Sequence, residues 1–277
     1  MMRLARLLTC SIVISVLAFA AGPRKPVTID DVVSYRTQHG PTPIWTPDGN
    51  SFAYEESGTV YLYDIAQRRS TRWFETKALE IPASIAAKAE PYSWKNRRVG
   101  DSRFQWFPNG KDLLAVASGG VFIVHPDGKN EQLIGPQSRP EDPKLSPDGQ
   151  NVLYRSHCNL FVFSIRAHQI RQLTNDGTRE VQNGQLDWVY PEELDLGAAT
   201  WWSPDSKRIA YLQFNIADEF VYPQADLLGT RAISEPERYP QAGTPNAKVR
   251  LGVVPVEGGE TRWMEAGNSP DVLLARV

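Results

Sequence analysis

Four segments of the chain repeat one pattern: Ile44-Trp45-Thr46-Pro47-Asp48-Gly49, Gln105-Trp106-Phe107-Pro108-Asn109-Gly110, Lys144-Leu145-Ser146-Pro147-Asp148-Gly149 and Trp201-Trp202-Ser203-Pro204-Asp205-Ser206. A short apolar run follows each one, at residues 51–54, 112–116, 151–154 and 208–212. Proline presets φ for a tight turn and glycine accepts the positive φ that closes it, so every unit predicts strand, turn, strand. Such a recurring unit cannot bury its apolar faces alone and must stack against its own copies.

The first three units continue alike. Residues 59–65, 120–124 and 160–165 predict third strands, and residues 169–174 a fourth. Four antiparallel strands per repeat make the blade of a β-propeller, so the fold class is all-β. Pro47, Pro108, Pro147 and Pro204 lie 61, 39 and 57 residues apart, against roughly 40 to 50 for common propeller repeats. The two long spacings predict insertions, one at 75–99 and one that includes 187–196. After the fourth unit come a polar stretch at 215–246, an outer hairpin at 249–254 and 261–264, and a final run, 271–277, that reads as the opening strand of another blade. The count is about four blades plus the start of a fifth. A propeller leaves no long edges only when its last blade meets its first. Either a strand near Val32-Val33-Ser34-Tyr35 closes a small ring, or the chain is a fragment of a larger one.

Composition bounds the partners. With 41% hydrophobic and 22% charged residues the chain has material for a core, which excludes wholesale disorder. Thirty basic against 32 acidic residues give a net charge of −2, and no block of like charge is long enough to follow a phosphate backbone, so no nucleic-acid partner is expected. Met1-Met2-Arg3-Leu4-Ala5-Arg6 is a basic start to a 15-residue, mostly apolar run at 7–21, shorter than the ~20 residues that span a bilayer. With the small residues of Ala18-Phe19-Ala20 it predicts a signal peptide over 1–20, cleaved before Ala21, and a periplasmic or secreted mature chain over 21–277. The alternative is a retained N-terminal membrane anchor. Cleavage leaves Cys158 as the only thiol, expected as a buried apolar side chain on a strand opposite His157. No Cys/His cluster has zinc-ligand spacing, and neither metal nor cofactor is predicted.

There is no Gly-x-Ser-x-Gly elbow, no His-Glu-x-x-His and no phosphate-cradling glycine loop. No catalytic residue is therefore assigned. His39, His125, His157 and His168 read as surface or strand residues, and Asp48, Asp127, Asp148 and Asp176, each followed by glycine, as turn formers. The exception is Leu186-Asp187-Trp188-Val189-Tyr190-Pro191-Glu192-Glu193-Leu194. Pro191 suits the first position of a helix, which would put Glu192 and Glu193 in its first turn, where the helix dipole favours carboxylates. That acidic first turn is the plain reading. The functional reading is that two adjacent carboxylates at the mouth of a β-ring accept the three donors of an ammonium, such as a peptide amino terminus.

Asp187-Trp188-Val189-Tyr190-x-Glu192-Glu193, with Trp201-Trp202-Ser203-Pro204-Asp205 and Ile209-Ala210-Tyr211-Leu212-Gln213-Phe214-Asn215 after it, resembles the propeller domain of the dipeptidyl peptidase IV family of serine peptidases. Arg238-Tyr239-Pro240-Gln241-Ala242-Gly243-Thr244-Pro245-Asn246 is similar to a second stretch of that family. The resemblance covers 184–254 closely and the earlier blades only as generic repeats. It implies an eight-bladed propeller joined to an α/β-hydrolase domain that removes dipeptides from peptide N-termini, preferring Pro or Ala as the second residue. It assigns the binding of the substrate's free amine to Glu192 and Glu193, with Asp187, Trp188 and Tyr190 as the supporting motif.

Three positions depart from the family pattern. Pro191 stands where a further Glu is frequent. The connection Ala117-Ser118-Gly119-Gly120 lacks the arginine expected for the substrate carbonyl. The triad has no counterpart among these residues, so the chain alone is predicted inactive, its expected partners being peptide N-termini and a separate hydrolase-domain chain or a homodimer partner. A reading from another class stays open, that of a stand-alone periplasmic propeller acting as a non-catalytic binding or scaffold module.

Overall fold

The computed structural model describes residues 42–80, 103–227, 229–234, 236–267 and 271–275, together with 26, 28, 29 and 277. Residues 1–40 and 41–277 form two separate units; every element below belongs to the second. The expected signal peptide or anchor, the strand near Val32 and most of the 75–99 insertion lie outside the described residues. Among the described residues no helix is long and apolar enough to cross a membrane.

The first sheet has the order β1 (Ile44–Trp45), β2 (Ser51–Glu56), β3 (Thr59–Asp64), β4 (Arg69–Glu75). The second runs β5 (Phe104–Trp106), β6 (Leu113–Ala117), β7 (Gly120–Val124), β8 (Asn130–Ile134), and the third β9 (Glu141–Leu145), β10 (Asn151–Ser156), β11 (Asn159–Ser164), β12 (Gln169–Gln172). All neighbours are antiparallel, as short hairpin connections require. In the fourth sheet two short strands, β13 (Val181–Asn183) and β14 (Thr200–Trp202), share one edge of the long β15 (Arg208–Asn215). Two exposed ribbons follow, pairing β16 (Val221–Tyr222) with β19 (Glu237–Arg238) and β17 (Ala225–Asp226) with β18 (Ile233–Ser234). The chain then returns as β20 (Lys248–Pro255) on the other edge of β15, with β21 (Arg262–Trp263) outermost. Four blades of the expected kind are present.

Side chains alternate across a strand, and here both faces of the middle strands are buried. In β6, Leu113 and Ala115 pack toward the first sheet while Leu114 packs toward the third. In β10, Val152 and Tyr154 join the second sheet and Leu153 the fourth. This explains near-continuous apolar runs where a two-layer sandwich would show strict alternation. The outermost strands are exposed over most of their length. Innermost strands cross-link sideways: Trp106 Nε1 donates to the Ile44 carbonyl at 2.8 Å, and Lys144 Nζ to the Thr200 carbonyl and hydroxyl at 3.0 and 2.8 Å.

The repeated turns close as expected. Gly49, Gly110, Gly149 and Ser206 each donate their N–H to the residue three before, with φ between 58° and 72°. The turns also stack on one another: a Cβ on Gly149 would lie 2.8 Å from Pro108 Cδ, and the Ser206 hydroxyl accepts the Asp148 N–H at 3.0 Å.

Several expectations are corrected. His157 and Cys158 form a two-residue turn with φ of 47° and 61° between β10 and β11, so neither lies on a strand, and Cys158 is only half-buried. Asp176-Gly177, expected to form a turn, lies in irregular backbone, and the Asp176 carboxylate accepts from Asn183 and Gln213 at 2.9 and 2.8 Å. The polar stretch after β15 forms the two ribbons. Residues 271–275 adopt no strand; with no described strand to supply ladder hydrogen bonds, they lie against the fourth sheet's core through Leu274.

Candidate functional site

The segment 184–199 leaves the fourth sheet between β13 and β14, and both its ends are pinned on one residue. Leu212 accepts the Gly184 N–H at 2.8 Å and donates its own N–H to Ala199 at 2.9 Å. Gly184 has a φ of 71°, and a Cβ there would collide with Thr200 and Leu160 at 2.6 and 2.7 Å, so only glycine lets the chain turn away. The excursion is a compact loop with neighbouring ends, the kind of element that carries function on a rigid scaffold.

Its single helical element, α1 (Val189–Glu193), begins two residues earlier than Pro191 predicts. Asp187 is the cause: its carboxylate accepts the Tyr190 N–H at 3.2 Å, satisfying a donor that the start of a helix leaves open. Pro191 therefore occupies the third helical position, where its missing N–H still removes no intrahelical bond. Glu192 falls in the first turn as expected, whereas Glu193 is the last helical residue.

Apolar contacts orient the helix. Val189 and Leu194 join the core of Tyr190, Leu212, Phe214 and Ile216. The Tyr190 ring is edge-on to Phe214 with centroids 4.8 Å apart, and its hydroxyl accepts the Leu274 N–H at 2.7 Å. Trp188 lies edge-on to Tyr239 at 4.4 Å, tying α1 to the second stretch singled out in the sequence. With these side chains turned inward, Glu192 is half-buried and Glu193 exposed. Two adjacent carboxylates at the surface of a rigidly held helix are chemically fit to accept an ammonium.

One acidic group beside the site was missed by sequence reasoning. Glu219, in the turn after β15, is 4% exposed, and Asp187 is 7% exposed. Burial pushes Glu219 up to about 7, with the Asp187 charge adding to the effect, and burial pushes Asp187 up to about 6. Nothing around Glu219 in the sequence marks it out from its polar surroundings.

A second polar centre joins the third and fourth sheets. Gln213 Nε2 bonds the Asp176 carboxylate and the Asn183 side chain, both at 2.8 Å, and its Oε1 accepts from Arg250 Nε at 2.8 Å. The Arg250 guanidinium lies 3.6 Å from the Trp263 ring centroid. This network fastens the end of β13 from which the site loop departs. The described histidines sit elsewhere: His125 Nδ1 lies 2.8 Å from Asp112 inside the second blade, and His157 bonds its neighbour Ser156. The 117–120 connection is the short turn expected, with no arginine.

Residues 117–277 match the family model described as the dipeptidyl peptidase IV (DPP IV) N-terminal region. A protein of Podospora anserina named "Probable dipeptidyl-aminopeptidase B" is 35% identical over 143 residues, which cover 47% of this chain and 15% of that protein. A protein of the same name from Pyrenophora teres f. teres is 25% identical over 277 residues, covering 88% of this chain and 30% of the relative. The chain thus spans less than a third of the length of these relatives. Among solved structures, Porphyromonas gingivalis dipeptidyl peptidase 4 aligns with a TM-score of 0.67 at 20% identity, over 90% of this chain and 36% of that one. That likeness supports the propeller fold.

Proposed function

The chain belongs to the family of dipeptidyl peptidase IV N-terminal regions, and on that premise we propose that it is the substrate-anchoring propeller part of a dipeptidyl peptidase IV-like serine exopeptidase. Glu192 and Glu193 bind the free amine of a peptide N-terminus. The observation that carries this reading is their placement: consecutive, accessible carboxylates on a helix whose other side chains are locked into the core. Fixing the amine fixes how far a peptide enters, so cleavage by a hydrolase domain would release dipeptides, a contribution of positioning and not of bond chemistry. The nucleophile of that reaction would come from a hydrolase domain, with these blades supplying the amine anchor.

The first sheet supports membership of a larger ring. On its face away from the second sheet, Trp45, Phe52 and Tyr63 run in a file with centroids 5.1 and 4.9 Å apart, beside Tyr54 and Tyr61 at 5.4 Å. Trp45 is 52% exposed. In a ring each blade face is covered by the next, and a further blade packs here. The N-terminal segment directs export to the periplasm or medium.

Calorimetric titration with a dipeptide tests the amine site. The free dipeptide binds and its N-acetylated form does not, and Glu193→Gln weakens binding by roughly 10- to 100-fold, the loss of one charge-assisted hydrogen bond of about 1.5–3 kcal/mol. Equal binding of the two peptides, or an unchanged Glu193→Gln, refutes the assignment. In that case a cooperatively unfolding, monomeric chain would place it with the scaffold modules.

A further inference from the structure

The segment after β12 and the outer strands of the fourth sheet enclose a cleft of about 610 Å³, walled by Thr174, Asp176, Tyr211, Arg250, Glu260 and Trp263. That volume lies within the roughly 300–1,000 Å³ of small-molecule sites. Glu192 and Glu193 do not line it. Its walls carry charge of both signs, with Arg250 the one cation among the lining residues.

The Arg250 guanidinium is clamped on two sides. One face lies 3.6 Å from the centroid of the Trp263 ring, and Nε donates to Gln213 Oε1 at 2.8 Å. Gln213 is 3% exposed and is itself fixed by its bonds to Asp176 and Asn183. The Trp263 contact sets the plane of the guanidinium and the Gln213 bond sets its rotation within that plane. Both Nη atoms are left over: Arg250 is exposed and, among the described residues, they meet no acceptor and form no ion pair. Two parallel N–H groups held in this way match the two oxygens of a carboxylate, and a side chain already fixed gives up little freedom on binding.

The negative groups narrow the choice of anion. Asp176 accepts only from the neutral amides of Asn183 and Gln213 among the described residues, and both it and Glu260 are exposed. One positive and two negative groups would repel a phosphate dianion, whereas a carboxylate carried on the same molecule as an ammonium satisfies both signs. Gln213 holds the two charges apart by the length of its amide, accepting from Arg250 and donating to Asp176 at 2.8 Å each.

We propose that this cleft binds a small zwitterion, a free amino acid or a dipeptide, whose carboxylate is gripped by the two Nη atoms of Arg250 and whose ammonium is received by Asp176. The site is additional to the amine site proposed for Glu192 and Glu193 and does not depend on it.

Nuclear magnetic resonance of the full chain tests it, with the Arg250 Nε–H and the Trp263 indole N–H as reporters of this cleft alone. Calorimetry would mix the two sites, because Glu192 and Glu193 would also take an ammonium. L-alanine or L-alanyl-L-alanine shifts both signals saturably, and the tighter of the two tells amino acid from dipeptide. N-acetyl-alanyl-alanine, without the ammonium, and alanyl-alanine amide, without the carboxylate, each bind roughly 10- to 100-fold more weakly, the loss of one charge-assisted contact. Arg250→Lys keeps the charge but not the fork and weakens binding by a similar factor, read at Trp263. No saturable shift with either zwitterion overturns the proposal, as do equal binding of the blocked peptides, tighter binding of inorganic phosphate, or an Arg250→Lys chain that binds like the wild type. If Arg250→Lys does not fold, the wild-type comparison of these ligands decides.

Discussion

The stacking of turns from blade to blade is most sharply tested at Ser206. The other three turns place glycine at the equivalent position, with φ of 71°, 63° and 72°. Ser206 holds the same conformation at 58° and is 5% exposed. A side chain in this region costs roughly 1–2 kcal/mol that glycine avoids. The Ser206 hydroxyl accepts the Asp148 N–H at 3.0 Å and links the fourth turn to the third, which stabilises by about 1 kcal/mol. Ser206→Ala keeps the strain and loses the link, so it destabilises by about 1 kcal/mol. Ser206→Gly relieves about 1 kcal/mol of strain, loses about 1 with the link and about 0.5 more through the freer unfolded chain. Its net loss is near 0.5 kcal/mol, smaller than that of alanine. Urea unfolding followed by tryptophan emission suits the junction, since Trp202 Nε1 donates to the Lys144 carbonyl there at 3.1 Å. Exchange of the Asp148 amide gives a local reading. The reasoning is refuted if alanine matches the wild type within experimental error while glycine is more stable than both, for then the hydroxyl contributes nothing.

Two further perturbations separate local strain from packing. Gly149→Ala combines positive φ with a Cβ 2.8 Å from Pro108 and is expected to lose about 2–4 kcal/mol. Gly49→Ala, where a Cβ meets open space, loses only about 1–2 kcal/mol; equal urea midpoints for the two would show that the turns do not support each other. Tyr190→Phe keeps the ring on Phe214 but removes the acceptor of the Leu274 N–H, bonded at 2.7 Å. It should cost about 1 kcal/mol and hasten proteolysis within 271–275, and unchanged proteolysis would count against the tether.

Placement of the candidate site depends on an interrupted strand pairing. β13 and β14 share the edge of β15, and the residues between them are forced outward as a loop. The apolar residues of that loop return to the core through Val189, Tyr190 and Leu194, which leaves the glutamates at the surface. The same β15 delivers Glu219 from its far end. One strand thus positions both the carboxylates that face solvent and a buried acid.

Most of the blade architecture was legible in the sequence, because each blade is written in local chemistry. A proline, an aspartate or asparagine and a glycine in order dictate one turn, and the apolar runs beside them dictate strands. The position of Glu192 and Glu193 on a short helix was legible for the same reason. The start of that helix was also decided locally, but by the Asp187 carboxylate three residues before Tyr190 and not by Pro191. Tertiary structure moved His157 and Cys158 from a strand into a turn, because the register of β10 with β11 ends at Ser156 and Asn159. The burial of Asp187 and Glu219 was beyond local reading. The two acids stand far apart in the chain and are 7% and 4% exposed, and burial is a property that no single position in a sequence reveals.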